Sequence, residues 1–346
     1  MWLALALTLS ATPTPAQLDA RFTEIARAQQ MPAATAAVVI DDQIYWMQAT
    51  GTRGDDANTP VKVNDLFRLG SITKTFTALA ILQLRDAEKL GLNDEIEKWL
   101  PEAQIRPAAW GDRAPTLKDL LLHRSGLPRD AHFDNPRERT QSEAHMALQL
   151  NVKLDQAPGA KEVYSNLGYA VLGLVVQRAG DKPYREYMSE RLLKPMGMST
   201  IWDDADVPAD RRVYGRGRPD KDSPWMVHTG DAPASQMGGA GALCASAPEL
   251  AQLVKLELGT LRESPVARAT VLESQQPDET NTGYGVSMYD VRDEGKVVWK
   301  NGLVPGFTAS MMVDTARHVG VVLLVAANGT DTDGAAADLL RAAEGK

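Results

Sequence analysis

With 346 residues, 44% of them hydrophobic and 24% charged, the chain can bury a large core as one big domain or two intimate ones. A formal charge of -8 and a pI near 5.3 supply no cationic field, which argues against a nucleic-acid partner. Cys244 is the only cysteine, so no internal disulfide is possible and the redox compartment stays open.

The chain opens on MWLALALTLS, apolar and uncharged, followed by TPTPA, which ends in small residues at Ala16. That order predicts a signal peptide over residues 1–16 and an exported, periplasmic or secreted protein, although no Lys or Arg precedes the apolar run. An ordinary amphipathic start and a membrane anchor are the other readings, but a span needs about 20 apolar residues, roughly twice this run. Residues 17–30 then set Leu18, Phe22, Ile25 and Ala26 on one helical face. AATAAVVID and QIYWMQATG read as two strands joined at Asp41-Asp42. A helical period governs the chain over about 66–265. Within it, Thr116 is placed to cap LKDLLLH, with Gly126 as the stop. Ser246-Ala-Pro-Glu249 is a capping box with proline in the first turn. The Gly-rich MGGAGAL (237–243) lacks the Lys-Ser/Thr of a phosphate loop and reads as tight backbone. GKVVWKNG, FTASMMVD and HVGVVLLVAAN are strands again, and a helix follows from about 333. The expected fold class is α+β: one antiparallel sheet from both chain termini (about 31–50 and 283–328), flanked by helices, with a mostly helical region inserted. Residues 17–346 then form a single domain.

Three segments of this chain can carry chemistry. Ser71-Ile72-Thr73-Lys74 opens SITKTFTALAILQL, a helix apolar nearly all round and therefore buried on most sides. Positions three apart share a helical face, so the Lys74 amine can reach the Ser71 hydroxyl. A lysine acting as base near neutral pH needs its pKa brought down by burial or a neighbouring cation. Ser71 at the helix start also has an N–H free to stabilise an oxyanion. As a bare helix cap, Ser71 would need none of this. Tyr164-Ser165-Asn166 precedes LGYAVLGLVVQRAG, a second all-apolar helix, and offers a phenol as proton shuttle and an amide for a substrate carbonyl. A core aromatic beside a capping Asn accounts for the same triplet. Lys300-Asn301-Gly302 ends the strand VVWKNG, where Gly lets another backbone approach and Lys300 supplies the cation that a depressed Lys74 or Tyr164 needs. A plain Asn-Gly turn is the alternative.

Together the blocks FRLGSITKTFTALAILQL, LKDLLLHRSGLP, PGAKEVYSNLGYAVLG, LLKPMGMSTIW, YGVSMYD and WKNGLVPGF resemble the β-lactamase-related serine hydrolases. That superfamily includes class C β-lactamases, D-alanyl-D-alanine carboxypeptidases, D-aminopeptidases and esterases, and the likeness runs over about 20–330. It implies a β-lactamase/transpeptidase-like catalytic domain with Ser71 as acylated nucleophile, Lys74 as its partner and Tyr164 as general base/acid. It implies Asn166 as the substrate-amide contact, Lys300 and Gly302 as the third motif, and the N–H of Leu303 beside that of Ser71 as oxyanion hole. The expected substrate is a small ester, amide or peptide; β-lactam hydrolysis, carboxypeptidase action or penicillin recognition without turnover are the competing readings. The oligomeric state is not legible. One position departs from the pattern: Asn301 stands where the family places Thr, Ser or, in its His-x-Gly form, a variable residue. The expectation is that Asn301 fills the space of a substrate carboxylate and favours neutral esters.

No cofactor or metal is expected. Gly285-Val286-Ser287 lacks the closing glycine of a nucleophile elbow, and the histidines at 123, 132, 145, 228 and 318 show no ligand spacing. His123, in LLLHRSGL, reads as a packed or capping residue rather than a base.

Overall fold

The computed structural model describes residues 12–346 apart from 56, 104, 106–112, 131–152, 200, 203–205, 221, 228–237 and 292–294. Most of the expected leader therefore lies outside the described residues. Helix α1 (Pro15–Ala28) starts at the end of that segment, on a capping box between Thr14 and Gln17. Of the five histidines, His132, His145 and His228 also fall outside.

Strands β1 (Ala33–Ile40) and β2 (Gln43–Gly51) follow as an antiparallel pair. The late strands are β5 (Ser287–Asp290), β6 (Lys296–Val304), β7 (Phe307–Asp314) and β8 (Val319–Val325). They join the first two in one six-stranded antiparallel sheet of order β2-β1-β8-β7-β6-β5. The two chain ends meet where Thr35 pairs with Leu324 and Val38 with Val321. Runs such as VGVVLLV are buried at every position, as a strand covered on both faces must be.

On one face lie α1 and the C-terminal helix α8 (Thr332–Ala343), whose Leu339 and Leu340 meet Leu18, Phe22 and Ile25. These are the residues that the 3.6-residue period selects. Each such side chain contributes about 1.5–3 kcal/mol when removed from water. Against the other face packs α6 (Ala247–Leu258), and the same core continues through α2 (Thr73–Asp86), α4 (Asn166–Gly180) and the short α3 (Leu117–Leu121), α5 (Gly238–Gly241) and α7 (Arg268–Ser274). A two-residue bridge, β3 (Phe67–Arg68) against β4 (Cys244–Ala245), brings the chain back to the helical layer and was not foreseen from the sequence.

The capping box of Ser246 with Glu249 forms on α6 as read, and Thr116 caps α3 as read, with Asp119 completing a second box there. The stop of α3 is earlier than expected. The helix ends at Leu121, and His123 rather than Gly126 turns the chain first, at φ +56°. Among the described residues no helix is long and apolar enough to cross a membrane.

Candidate active site

Helix α2 is buried at every position from Thr73 to Leu82, because α4, α5 and α7 surround it. Ser71 lies one turn earlier, in the 3₁₀ turn Gly70–Ile72, and makes no side-chain cap to the helix. The three-residue spacing survives this change of helix type. Lys74 Nζ lies 3.0 Å from Ser71 Oγ.

Lys74 is fully buried, and a buried ammonium is tolerable only with partners. Its Nζ donates to the Asn166 Oδ1 at 2.7 Å and to the Ala240 carbonyl at 2.8 Å. Burial, followed by the charge of Lys300, holds its pKa well below the ordinary lysine value; Asp130 opposes this. The sequence-based role of Lys300 as the perturbing cation therefore holds for Lys74. It does not hold for Tyr164. Burial raises the Tyr164 phenol above 10, and the phenol stays protonated. Its OH donates to Ser71 Oγ at 2.8 Å.

Tyr164 and Asn166 flank Ser165, which is the true cap of α4, its Oγ accepting the Gly168 N–H at 2.9 Å. The segment after α3 braces this turn. The Asn166 N–H donates to the Arg129 carbonyl at 2.7 Å, and Ser165 Oγ donates to the Pro128 carbonyl at 2.7 Å. Asn166 Nδ2 donates to Asp130 Oδ1 at 2.7 Å, fixing which end of the amide faces Lys74.

On β6, Lys300 is 7% exposed, its Nζ 5.6 Å from the Tyr164 ring centroid, with no hydrogen bond or ion pair among the described residues. Burial lowers its pKa to about 8. A Cβ on Gly302 would stand 1.9 Å from the Leu69 carbonyl and 3.0 Å from the Ser71 nitrogen, so only glycine lets β6 lie against the Ser71 turn. The Leu303 nitrogen is 2.9 Å from where a Gly70 Cβ would be. The amides of Ser71 and Leu303 are thus neighbours across a glycine-to-glycine contact.

Asn301 corrects the sequence expectation. Its Nδ2 donates to Asp333 Oδ2 at 2.8 Å, and Trp299 Nε1 donates to the other oxygen at 3.0 Å. Side chains alternate along a strand, so Trp299 and Asn301 face α8 while Lys300 faces Tyr164. Asn301 does not occupy carboxylate space.

The structure brings Ser71, Lys74, Tyr164, Asn166, Lys300, Gly302 and Leu303 to one place. Sequence reasoning missed Asp130 and the Ala240 carbonyl. The latter was within reach: the Gly-rich stretch was read as tight backbone, and a Cβ on Gly239 would lie 2.4 Å from the Tyr169 carbonyl. His123 is a packed residue, its ring against Tyr164 and Tyr169. Among the described residues no group of three or more His, Cys, Asp or Glu is arranged to hold a metal.

The Beta-lactamase family model matches residues 18–346. The chain belongs to the beta-lactamase family. One relative, Beta-lactamase-like protein 2 of Dictyostelium discoideum, is 35% identical over 170 residues, 47% of this chain and 31% of the relative. Esterase EstB of Burkholderia gladioli is 31% identical over 215 residues, 56% of this chain and 52% of the esterase. The matched stretches span about a third and about half of those two proteins. A class C beta lactamase from Rhodobacter sphaeroides superposes with a TM-score of 0.75 at 21% identity, covering 94% of this chain and 99% of that one, which is a likeness of fold. The beta-lactamase family fold and the antiparallel sheet from both termini agree.

Proposed function

We propose that the protein is a serine hydrolase that cleaves an ester or amide through an acyl-Ser71 intermediate. The observation that carries this reading is the convergence of Lys74 and Tyr164 on one hydroxyl, at 3.0 and 2.8 Å. A neutral amine has two N–H groups and one lone pair. Two of the three Lys74 neighbours are carbonyl oxygens, of Asn166 and Ala240, which only accept. The N–H groups go to them, and the lone pair is left for the Ser71 O–H. Ser71 Oγ then attacks the acyl carbon as its proton passes to Lys74. Tyr164, kept protonated by burial, gives its proton to the leaving oxygen or nitrogen and is refilled from Lys74. Water reverses the sequence: it loses a proton to this pair, attacks the acyl carbon, and Ser71 Oγ leaves reprotonated. The N–H groups of Ser71 and Leu303 serve the oxyanion. Asn166 keeps one Nδ2 hydrogen for a substrate carbonyl.

A second reading, a β-lactamase or D-alanyl-D-alanine carboxypeptidase, is favoured by Lys300, a buried cation beside Tyr164 with no hydrogen bond or ion pair among the described residues. Such a charge suits a substrate carboxylate. The relatives named as an esterase and as a beta-lactamase-like protein leave both open.

The test is intact-mass analysis after a fluorophosphonate probe, followed by turnover of nitrocefin, p-nitrophenyl esters and D-Ala-D-Ala peptides. One adduct is expected, on the peptide containing Ser71, and lost in Ser71→Ala. An adduct that persists in that variant overturns the reading. Acylation without turnover of any substrate leaves a recognition protein.

A further inference from the structure

His123 surrounds Tyr164 from three directions. Its carbonyl accepts the Val163 N–H at 2.8 Å, and its Nδ1 accepts the Ser165 N–H at 3.0 Å. Between those two bonds its ring lies on the Tyr164 ring, with centroids 4.3 Å apart and planes 31° from parallel. On its other contact it meets Tyr169, 5.0 Å away, whose OH is tied to the Leu121 carbonyl. A non-glycine residue at φ +56° is unfavourable and persists only where the surroundings fix it. Here that conformation points the main-chain carbonyl and the imidazole of one residue at the two amides flanking the phenol. We propose that His123 is the positioning residue of the active site, holding the Tyr164 phenol on Ser71 by bracketing its backbone and stacking on its ring.

The inference rests on the reading of Tyr164 as the proton donor to the leaving group. Nδ1 must be unprotonated to accept an amide, so the proton of the neutral ring sits on Nε2. Burial and the nearby Lys300 and Lys74 hold His123 well below its ordinary pKa, which keeps the acceptor available. His123 itself touches neither Ser71 nor Lys74 by hydrogen bond, and its effect passes through Tyr164.

The test uses His123→Gly, which removes ring and acceptor yet accepts the left-handed turn without steric penalty. Active sites are counted by complete fluorophosphonate labelling, and p-nitrophenyl butyrate turnover is measured per labelled site. The expected result is a kcat at least tenfold lower with KM within about threefold. His123→Asn, which keeps an acceptor and tolerates positive φ, should recover most of the loss. In a Tyr164→Phe background the glycine substitution should cost less than about twofold, because its route is already cut. An unchanged kcat per labelled site overturns the inference, as does a full loss repeated in the Tyr164→Phe background. If Tyr164→Phe alone turns over at the wild-type rate, the reading of Tyr164 falls instead. Should the glycine variant not fold, His123→Phe keeps a ring without the acceptor, and a wild-type kcat per site there overturns the inference equally.

Discussion

Lys74 and Glu257 are both fully buried, both on helices of the same hydrophobic core, and they are accommodated in opposite ways. Lys74 has three oxygen neighbours within 3.0 Å, one of them the Ser71 hydroxyl. Glu257, on α6, has Oε2 bonded to Gln275 at 2.6 Å, whereas Oε1 has no partner. Arg268 donates to the Glu257 main-chain carbonyl instead of the carboxylate. Burial moves both titrations, lowering Lys74 and raising Glu257 to about 7. A perturbed titration therefore does not mark the functional group here. What separates the two is company. Around Lys74 a serine hydroxyl, a phenol and two fixed acceptors converge, and around Glu257 the carboxylate meets only the Gln275 amide within helix packing.

Removing the amine breaks the comparison at its strong end. Lys74→Ala and Tyr164→Phe should each lower kcat/KM by about 10²–10⁴ with circular dichroism unchanged. On the proposed mechanism the two act as one unit, so the double variant should be little slower than the worse single one. Losses that multiply would mean separate tasks. Because Lys74 must be neutral to accept the proton, kcat/KM should fall as pH drops through its titration. That limb belongs to the coupled Lys74–Tyr164 pair and not to either residue alone.

Glu257 tests the other end through stability. Its folded pKa of about 7 lies above its ordinary 4.5, so between those values the folded state binds more protons than the unfolded one. Stability is therefore lost as pH rises from about 4.5 to about 7, by about 3 kcal/mol from this group. Glu257→Gln cannot ionise. Urea unfolding should show the variant gaining on wild type by up to that amount between pH 5 and pH 8, whatever constant offset the new amide brings. An equal difference at both pH values would show that Glu257 titrates as an exposed acid. Activity per folded molecule should not change.

The sequence carried much of this because the signals are local. Apolar runs gave both halves of the sheet, and the Ser71-to-Lys74 spacing survived although Ser71 proved to sit in a 3₁₀ turn. Three things escaped for physical reasons. The Ala240 carbonyl is a backbone acceptor 166 positions from Lys74, and no side chain announces it. Asp130 acts through Asn166, which only the fold makes its neighbour. The short α3 stopped at Leu121 because His123 adopted a turn that periodicity assigns to glycine. Asn301 is different: alternation along VVWKNG already puts it on the face opposite Lys300, and motif position overrode that count.

Asn301 supplies the smallest predicted effect and the sharpest check on where the cleft ends. Had its amide faced Lys300, replacing it by threonine would restore a hydroxyl for a substrate carboxylate, worth about 1.5–3 kcal/mol, or roughly 10- to 150-fold in favour of nitrocefin. With Nδ2 held by Asp333 at 2.8 Å on the α8 side, a threonine there meets helix and not substrate. Asn301→Thr should therefore change kcat/KM for nitrocefin and for p-nitrophenyl butyrate by less than about threefold each. Its cost should appear in stability instead, since Asp333 loses one of its two sheet-side donors and keeps Trp299. That loss should be about 1–2 kcal/mol in urea unfolding, a charge-assisted bond partly replaced by water. Discrimination between neutral and carboxylate substrates then falls to Lys300 alone among the residues of this motif. A tenfold gain toward nitrocefin in the threonine variant would put residue 301 back in the cleft and make the motif, not the strand's alternation, the correct guide.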